Sequence, residues 1–281
     1  MTSANAWPAP AKLNLMLRVV GRRPDGYHLL QTVFQFIDLC DELVFAVRED
    51  GAIRRVNDIP GVAAEDDLVV RAARLLQRAT DCRLGADIRV DKRIPMGGGL
   101  GGGSSDAATT LVALNRLWGC GADRDTLMGL GLQLGADVPI FVHGRAAWAE
   151  GVGEQLNDID PPEPVYLLLA PALQVDTGKV FQDPGLTRNS DRITIRDFLA
   201  GQHGNDCLAV VRNRYPDVAQ VFDWLDKKAS ARMTGTGACL FAACASRAEA
   251  EALLHARPAG VAGFVVQGMN RSPLMDMALH A

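Results

Sequence analysis

Apolar and polar residues alternate from the start of the chain, where Leu13, Leu15, Leu17 and Val19 are interleaved with Lys12, Asn14, Met16 and Arg18. A period of two predicts a strand, with Lys12 and Asn14 together on its second face. Pro24-Asp25-Gly26 in GRRPDGYH is a turn sequence, because proline presets φ and glycine accepts the left-handed position. The apolar HLLQTVFQFIDL that follows predicts a second strand, and ELVFAV a further one continuing the sheet. Asp66 or Asp67 is placed to cap a helix that carries Val69, Ala72, Ala73 and Leu76 on one side. Ala86, Ile88 and Val90 alternate as in a half-buried strand, and Ala107, Leu111, Leu114 and Trp118 recur at helical spacing. Between them lies PMGGGLGGGSSDAA, a strand-to-helix loop with Ser104, Ser105 and Asp106 expected at the helix cap. Asp123 or Asp125 caps another helix that ends at Gly135, and GADVPIFVHGRAAWAEGVGE reads as a short loop and a β-hairpin.

Pro161-Pro162-Glu163-Pro164 is a stiff break and places a domain boundary there, giving domains 1–160 and 161–281. After it come the apolar strand VYLLLAP, helices near 194–200, 205–214 and 217–228, two strands around Gly235-Thr236-Gly237, a helix at 246–256 and the strand GFVVQG. With the helical region counted once, the order is β-α-β-β-α-β, the ferredoxin-like arrangement. The expected fold class is a two-domain α+β protein, its first domain mixed α/β around the glycine loop.

Composition narrows the function classes. The chain has 281 residues, 48% hydrophobic and 22% charged, and 29 basic against 33 acidic residues give a net charge of −4. That balance does not advertise nucleic acid or an anionic membrane as a partner. The start MTSANAWPAP lacks a basic segment followed by an apolar one, and no apolar run approaches membrane-spanning length. Cysteines at 40, 82, 120, 207, 239 and 244 form no C-x-x-C pair, so buried thiols in a reducing, cytoplasmic compartment are expected, with no zinc site and no disulfide framework. Monomer and homodimer both stay open.

The glycine loop carries the first chemical signal. Six of the seven residues from Gly97 to Gly103 are glycine, which lets a ligand meet bare main chain. The N–H groups and positive end of the helix that follows suit an anion, above all a phosphate. Gly97, Gly99 and Gly102 formally match G-x-G-x-x-G, yet Pro95 interrupts the strand-to-turn entry of a dinucleotide fold. Gly98 and Gly103 have the spacing of a P-loop, but Ser104 stands where its lysine would be. A phosphate-binding cation must come from elsewhere. Alone, Lys12 reads as a surface lysine and Asp137, before Val138-Pro139, as a helix cap. With the loop, they supply the cation and carboxylate that phosphoryl transfer requires.

The stretches PAKLNL, RPDGYHLLQTVFQFID, PMGGGLGGGSSDAA, LGADVPIFV, AEGVGE and TGTGAC stand in the order expected of the GHMP small-molecule kinases, and the chain resembles that family from about Trp7 to Pro273. GYHLLQT and LGADVPIF narrow the resemblance to the branch whose acceptor is a cytidine diphosphate-linked methylerythritol of non-mevalonate isoprenoid synthesis. The alternative within the family is a mevalonate or homoserine type of kinase. Rivals from other classes are a dinucleotide-dependent oxidoreductase and a non-catalytic nucleotide or RNA-binding module.

The resemblance implies a catalytic pair, Lys12 and Asp137, in which Asp137 takes the proton of a tertiary alcohol while Lys12 offsets developing charge. It implies ATP phosphates on the loop Pro95, Met96, Gly97, Gly98, Gly99, Leu100, Gly101, Gly102, Gly103, Ser104 and Ser105. Mg2+ follows from ATP chemistry, with Ser105 the one candidate ligand and no metal site otherwise assigned. Asn14, Tyr27 and His28 would hold the cytidine diphosphate, with Thr177 and Phe181 adding contacts. Gly235, Thr236, Gly237 and Ala238 would close the site. Asp67 stands where the family pattern leads one to expect asparagine near the adenine.

Overall fold

The structure is a computed structural model that describes residues 6–280; the first five residues of the N-terminal segment read above for a leader lie outside them. A long hairpin organises the chain. Strands β1 (Trp7–Arg22) and β2 (His28–Arg48) pair antiparallel around the expected turn. HLLQTVFQFIDL and ELVFAV are therefore one strand, not two. The acids between them do not break it, because Asp41 is fully buried and accepts from the main-chain N–H groups of Arg93 and Ile94 at 2.5 and 2.8 Å.

The first half continues with β3 (Ile53–Arg55), α1 (Leu68–Ala79), β4 (Gly85–Asp91), α2 (Gly102–Leu117), α3 (Arg124–Leu134), α4 (Val138–His143), β5 (Ala147–Glu150) and β6 (Gln155–Asp158). The second half contains β7 (Val165–Ala170), α5 (Thr177–Gln182), α6 (Ile195–Leu199), α7 (Leu208–Arg214), α8 (Pro216–Asp226), β8 (Arg232–Met233), β9 (Leu240–Cys244), α9 (Arg247–His255), β10 (Ala262–Met269) and α10 (Pro273–His280). Periodicity did not disclose β3, α4, α5 or α10, which are short or terminal. In particular, the residues after Asp137 form a helix with Pro139 in its first turn, where a missing N–H costs nothing.

The sheet runs β3-β4-β2-β10-β7-β9-β8, with β1 and the β5–β6 hairpin attached beside β2. Its second-half strands lie in the order fourth-first-third-second, all antiparallel, which is the ferredoxin-like topology. β10 reaches β2 through Gly268 opposite Ile37 and Met269 opposite Phe36, so the two halves share one continuous sheet. α10 then returns to the first half, where Leu274 joins the core formed by β2, α1 and α2.

β1 has no solvent face. Leu17 and Val19 pack with the helices of the second half, while Leu13 and Leu15 pack with Tyr166, Leu168 and Phe241. Its free edge is also covered, since Lys12 N–H donates to Leu100 O at 3.0 Å and Leu17 N–H to Gly204 O at 2.8 Å. Lys12 and Asn14 are accordingly 2% and 4% exposed. The expectation of a surface lysine fails because strand and glycine loop pack edge to edge.

The loop itself starts its helix earlier than the serines suggested. Gly101, at φ +74°, is the N-cap residue of α2, so Ser104, Ser105 and Asp106 fall inside the helix. Only a residue without a Cβ takes that left-handed backbone cheaply. Three charged side chains brace the loop from behind. Lys92, just after β4, bonds Asp41 on β2 and, at 2.6 Å, Asp106 in α2. One ammonium thus serves two buried carboxylates, and Asp106 Oδ1 has no partner. Burial, opposed by Lys92 and reinforced by Asp41, raises the Asp106 carboxyl well above the usual carboxylate range.

That shift has a sign that can be measured. The folded protein holds a proton on Asp106 at pH values where the unfolded chain has released it, so this group's contribution to stability falls as pH rises through the window. The slope is at most about 1.4 kcal/mol per pH unit. Asp106→Asn, which mimics the protonated form, should flatten the pH dependence of stability above pH 5 relative to the parent. Urea unfolding at pH 5, 6 and 7 on both proteins checks it, and parallel curves would refute it.

Candidate active site

Two cavities meet at the glycine loop. The smaller, about 400 Å³, lies between the loop, Lys92 and the segment that leads into α1. The larger, about 780 Å³, lies between β1, the 23–28 turn, α5 and the 235–236 turn. Gly99 and Ser104 line both.

Lys12 stands at this junction. Its Nζ donates to Asn14 Oδ1 at 2.6 Å and Gly99 O at 3.0 Å, and lies 3.2 Å from Asp137 Oδ2. The ring of Phe34 covers another side, 5.4 Å from ammonium to centroid. Asn14 is held in turn, donating from Nδ2 to the Thr32 hydroxyl at 2.8 Å and from its main chain to the Thr234 hydroxyl at 3.0 Å. Thr234 donates back to Gly99 O at 3.2 Å. A side chain from each of two neighbouring strands and one from the second half therefore orient a single ammonium.

Asp137 is 38% exposed and directed into the larger cavity. It occupies the cap position of α4, yet its side chain makes no capping bond and its backbone is already helical. Capping does not explain it. A half-exposed carboxylate backed by a buried ammonium can accept a proton from a hydroxyl and have the resulting charge offset at once.

The loop has the shape expected of an anion cradle. Gly97, Gly99 and Gly101 all have positive φ, and several of its glycines are in close contact. A Cβ on Gly101 would sit 2.8 Å from Phe141 and 3.2 Å from Lys12 Cε. Pro95 through Ser104 all line the smaller cavity. Ser105 does not, because it is fully buried on the inner side of α2 and its hydroxyl has no partner. Ser104, one position earlier, is the serine that faces both cavities, so Ser105 is misplaced as a candidate cation ligand.

The acceptor-side residues gather as expected around the larger cavity. Asn14, Tyr27, His28, Thr177, Phe181, Gly235 and Thr236 line it. Tyr27 is 62% exposed at its mouth. Thr177 and Thr236 join hydroxyl to hydroxyl at 2.8 Å, linking α5 to the turn before β9. Gly237 and Ala238 lie behind this wall: Ala238 is in the second-half core and Gly237 is packed on Met233. Asp67 caps α1 through Val69 N–H at 3.0 Å and pairs with Arg55 at 2.6 Å, both side chains largely buried. Its carboxylate is already committed on the wall of the smaller cavity.

Several contributors escaped the sequence reading. Thr32, Phe34 and Arg188 lie far along the chain from the groups they hold. Lys92 was closer to hand, as the lysine of DKR three residues before the loop; it lines the smaller cavity and is held by Asp41 and Asp106. Among the described residues, no cluster of three or more His, Cys, Asp or Glu is placed to hold a metal ion.

Residues 67–145 match the GHMP kinases N terminal domain and residues 185–262 the GHMP kinases C terminal domain. A 4-diphosphocytidyl-2-C-methyl-D-erythritol kinase of Nitrosococcus oceani is 56% identical over 270 residues, covering 96% of both chains. A crystal structure of 4-(cytidine 5'-diphospho)-2C-methyl-D-erythritol kinase superposes with a TM-score of 0.83 at 31% identity, over 94% of this chain and 99% of that one. A mevalonate kinase structure, at 15% identity and a TM-score of 0.71 over 95% of this chain and 99% of its own, shares the fold. With two matching domain models and relatives that align along nearly its whole length, the chain belongs to the GHMP kinases, in the family of the 4-diphosphocytidyl-2-C-methyl-D-erythritol kinases.

Proposed function

We propose that the protein transfers the γ-phosphate of ATP to 4-diphosphocytidyl-2-C-methyl-D-erythritol, giving the 2-phosphate and ADP. The observation that carries this reading is the Lys12–Asp137 contact where a glycine-lined cavity opens into a larger, aromatic-edged one. ATP occupies the first, its phosphates on the loop N–H groups and the α2 terminus. The cytidine diphosphate occupies the second, its base between Tyr27 and Phe181, with its acceptor alcohol at Asp137. Asp137 takes the alcohol proton, and Lys12, locked by Asn14 and Gly99, stabilises charge on the transferring group without moving.

Mg2+ accompanies ATP in this reading. Such an ion keeps waters and takes most of its ligands from phosphate oxygens, which fits a site that offers the Ser104 hydroxyl and the Asp137 carboxylate and, among the described residues, no cluster of three or more acids, histidines or cysteines. When bound, such an ion would offset charge on the phosphate oxygens. Six free thiols fit a reducing, cytoplasmic setting. The second cavity is larger than mevalonate or homoserine needs, and its aromatic mouth suits a nucleobase, which weighs against those acceptors.

Three measurements test the assignment. Asp137→Asn leaves α4 intact, because the native side chain makes no capping bond there, yet turnover should fall by about 10²–10⁴-fold. Near-parental turnover would remove Asp137 from the chemistry.

Gly103 is the cleaner probe of the loop. A Cβ there meets only Leu68, at 3.6 Å, whereas one on Gly101 would strike Phe141 and press Lys12. Gly103→Val should raise the Kd for ATP by about tenfold, roughly 1.4 kcal/mol, and leave the Kd of the cytidine substrate unchanged. Calorimetric titration of both ligands decides, and an unaltered ATP affinity would place the phosphates elsewhere.

Base recognition is tested through Tyr27. Tyr27→Ala should lower kcat/KM for the cytidine substrate by about 1–3 kcal/mol of transition-state stabilisation. On the parent enzyme, free methylerythritol, the uridine analogue, mevalonate and homoserine should all be poor acceptors. Faster phosphorylation of mevalonate or homoserine than of the cytidine compound would overturn the acceptor while leaving the kinase reading in place.

A further inference from the structure

His28 opens β2 on the wall of the larger cavity. One face of its ring stacks on Phe181 of α5, with centroids 4.9 Å apart and planes 23° apart. Its Nε2 faces Arg188, whose Nε lies 3.2 Å away. The same guanidinium donates from Nη1 to Leu186 O at 3.1 Å and from Nη2 to Phe181 O at 2.8 Å and Asp183 O at 2.7 Å. Three main-chain carbonyls thus fix the guanidinium plane before it meets the imidazole.

Arginine offers no acceptor and keeps its charge in proteins. The bond to His28 therefore has one sense: Arg188 Nε–H donates, and His28 Nε2 accepts through its lone pair. The single ring proton is on Nδ1, which has no partner among the described residues. An imidazolium would set N–H against N–H beside a fixed cation.

We infer that Arg188 is a positioning residue for base recognition, holding His28 as its neutral Nδ1–H tautomer so that the cavity wall presents a hydrogen-bond donor to the acceptor edge of cytosine. The inference rests on the cytidine reading above. Cytosine N3 and O2 are acceptors, whereas uracil carries a hydrogen on N3, so a fixed donor favours the former. The surrounding charges act in the same direction. Burial first, then Arg188 and Arg22, lower the His28 pKa below 6.5. The nearby acids are engaged elsewhere, Asp25 with Arg23 at 2.7 Å and Asp183 with Arg214.

The test separates this inference from the substrate assignment. In the ligand-free protein, 15N NMR of the imidazole should show His28 protonated at Nδ1 and titrating below the ordinary histidine value. In Arg188→Met the ring should move toward the Nε2–H form and titrate nearer 6.5. With the cytidine substrate, Arg188→Met should raise KM about tenfold, with kcat within about twofold and the KM for ATP unchanged. On acidification the KM of the variant should begin to rise at a higher pH than that of the parent. His28→Phe retains the stack on Phe181, and adding Arg188→Met to it should cost nothing more in KM if Arg188 acts through His28. An Nε2–H or charged His28 in the parent protein overturns the inference whatever the substrate proves to be. An equal KM penalty in both backgrounds would reduce Arg188 to an anchor of its own loop.

Discussion

The structure turns on one buried ammonium. Taking a lysine out of water costs several kcal/mol unless its charge is paired and its donors are satisfied. Lys12 is 2% exposed, and its three donor directions end on Asn14, Gly99 and Asp137. Each partner belongs to a different part of the chain: the same strand, the glycine loop, and the turn before α4. Compensating that charge therefore requires the hairpin, the loop and α4 to be in register together. The requirement extends to the second half, since Thr234 accepts from Asn14 N–H and donates to the same Gly99 carbonyl. The ammonium that pairs with Asp137 is also the one that holds the loop, through Gly99 O.

Glycine density answers to this packing as well as to ligand approach. The loop is hemmed in by main chain and sulfur from the second half, with Thr234 against Gly99 and Cys239 against Gly98. Cys239 N–H donates to Gly98 O at 3.1 Å. Side chains at these positions would pry the 234–239 segment away and open the junction of the two cavities. Glycine here satisfies two demands: it leaves N–H groups bare toward the ligand, and it allows backbone to approach backbone behind it.

What could be read from the sequence follows from how local each signal is. The alternation around Leu13, the helical spacing from Ala107, and the caps at Asp66 or Asp67 and at Asp123 or Asp125 are set by neighbours a few residues apart, and the structure shows that strand and those helices, with Asp67 and Asp123 as the capping members. The succession of elements in the second half, β-α-β-β-α-β, was legible for the same reason. Two features were not, because they depend on distant partners. The acids near Asp38 and Asp41 look like a strand break until Asp41 is seen holding the main chain of Arg93 and Ile94. Lys12 looks exposed until the loop, eighty-seven residues on, closes its strand edge. In the site, the glycine loop, Lys12 and Asp137 were named from motif order, whereas Lys92, Thr32 and Arg188 belong to no motif and became visible only through their contacts.

The division of labour between the halves follows from these constraints. In the proposed reaction the first half supplies the ammonium, the carboxylate and the phosphate loop. The second half supplies little chemistry but fixes orientation, through Thr234 on Asn14, Thr236 on Thr177, and Arg188 on His28. Hydrogen bonds between packed groups are suited to that task, because each removes rotamer freedom that would otherwise be lost on binding. A change of acceptor preference would therefore be sought around Tyr27 and His28 and in the second-half segments near Phe181 and Arg188 that face them. The Lys12–Asp137 pair, tied to the sheet and the loop, has little room to vary without exposing a buried charge.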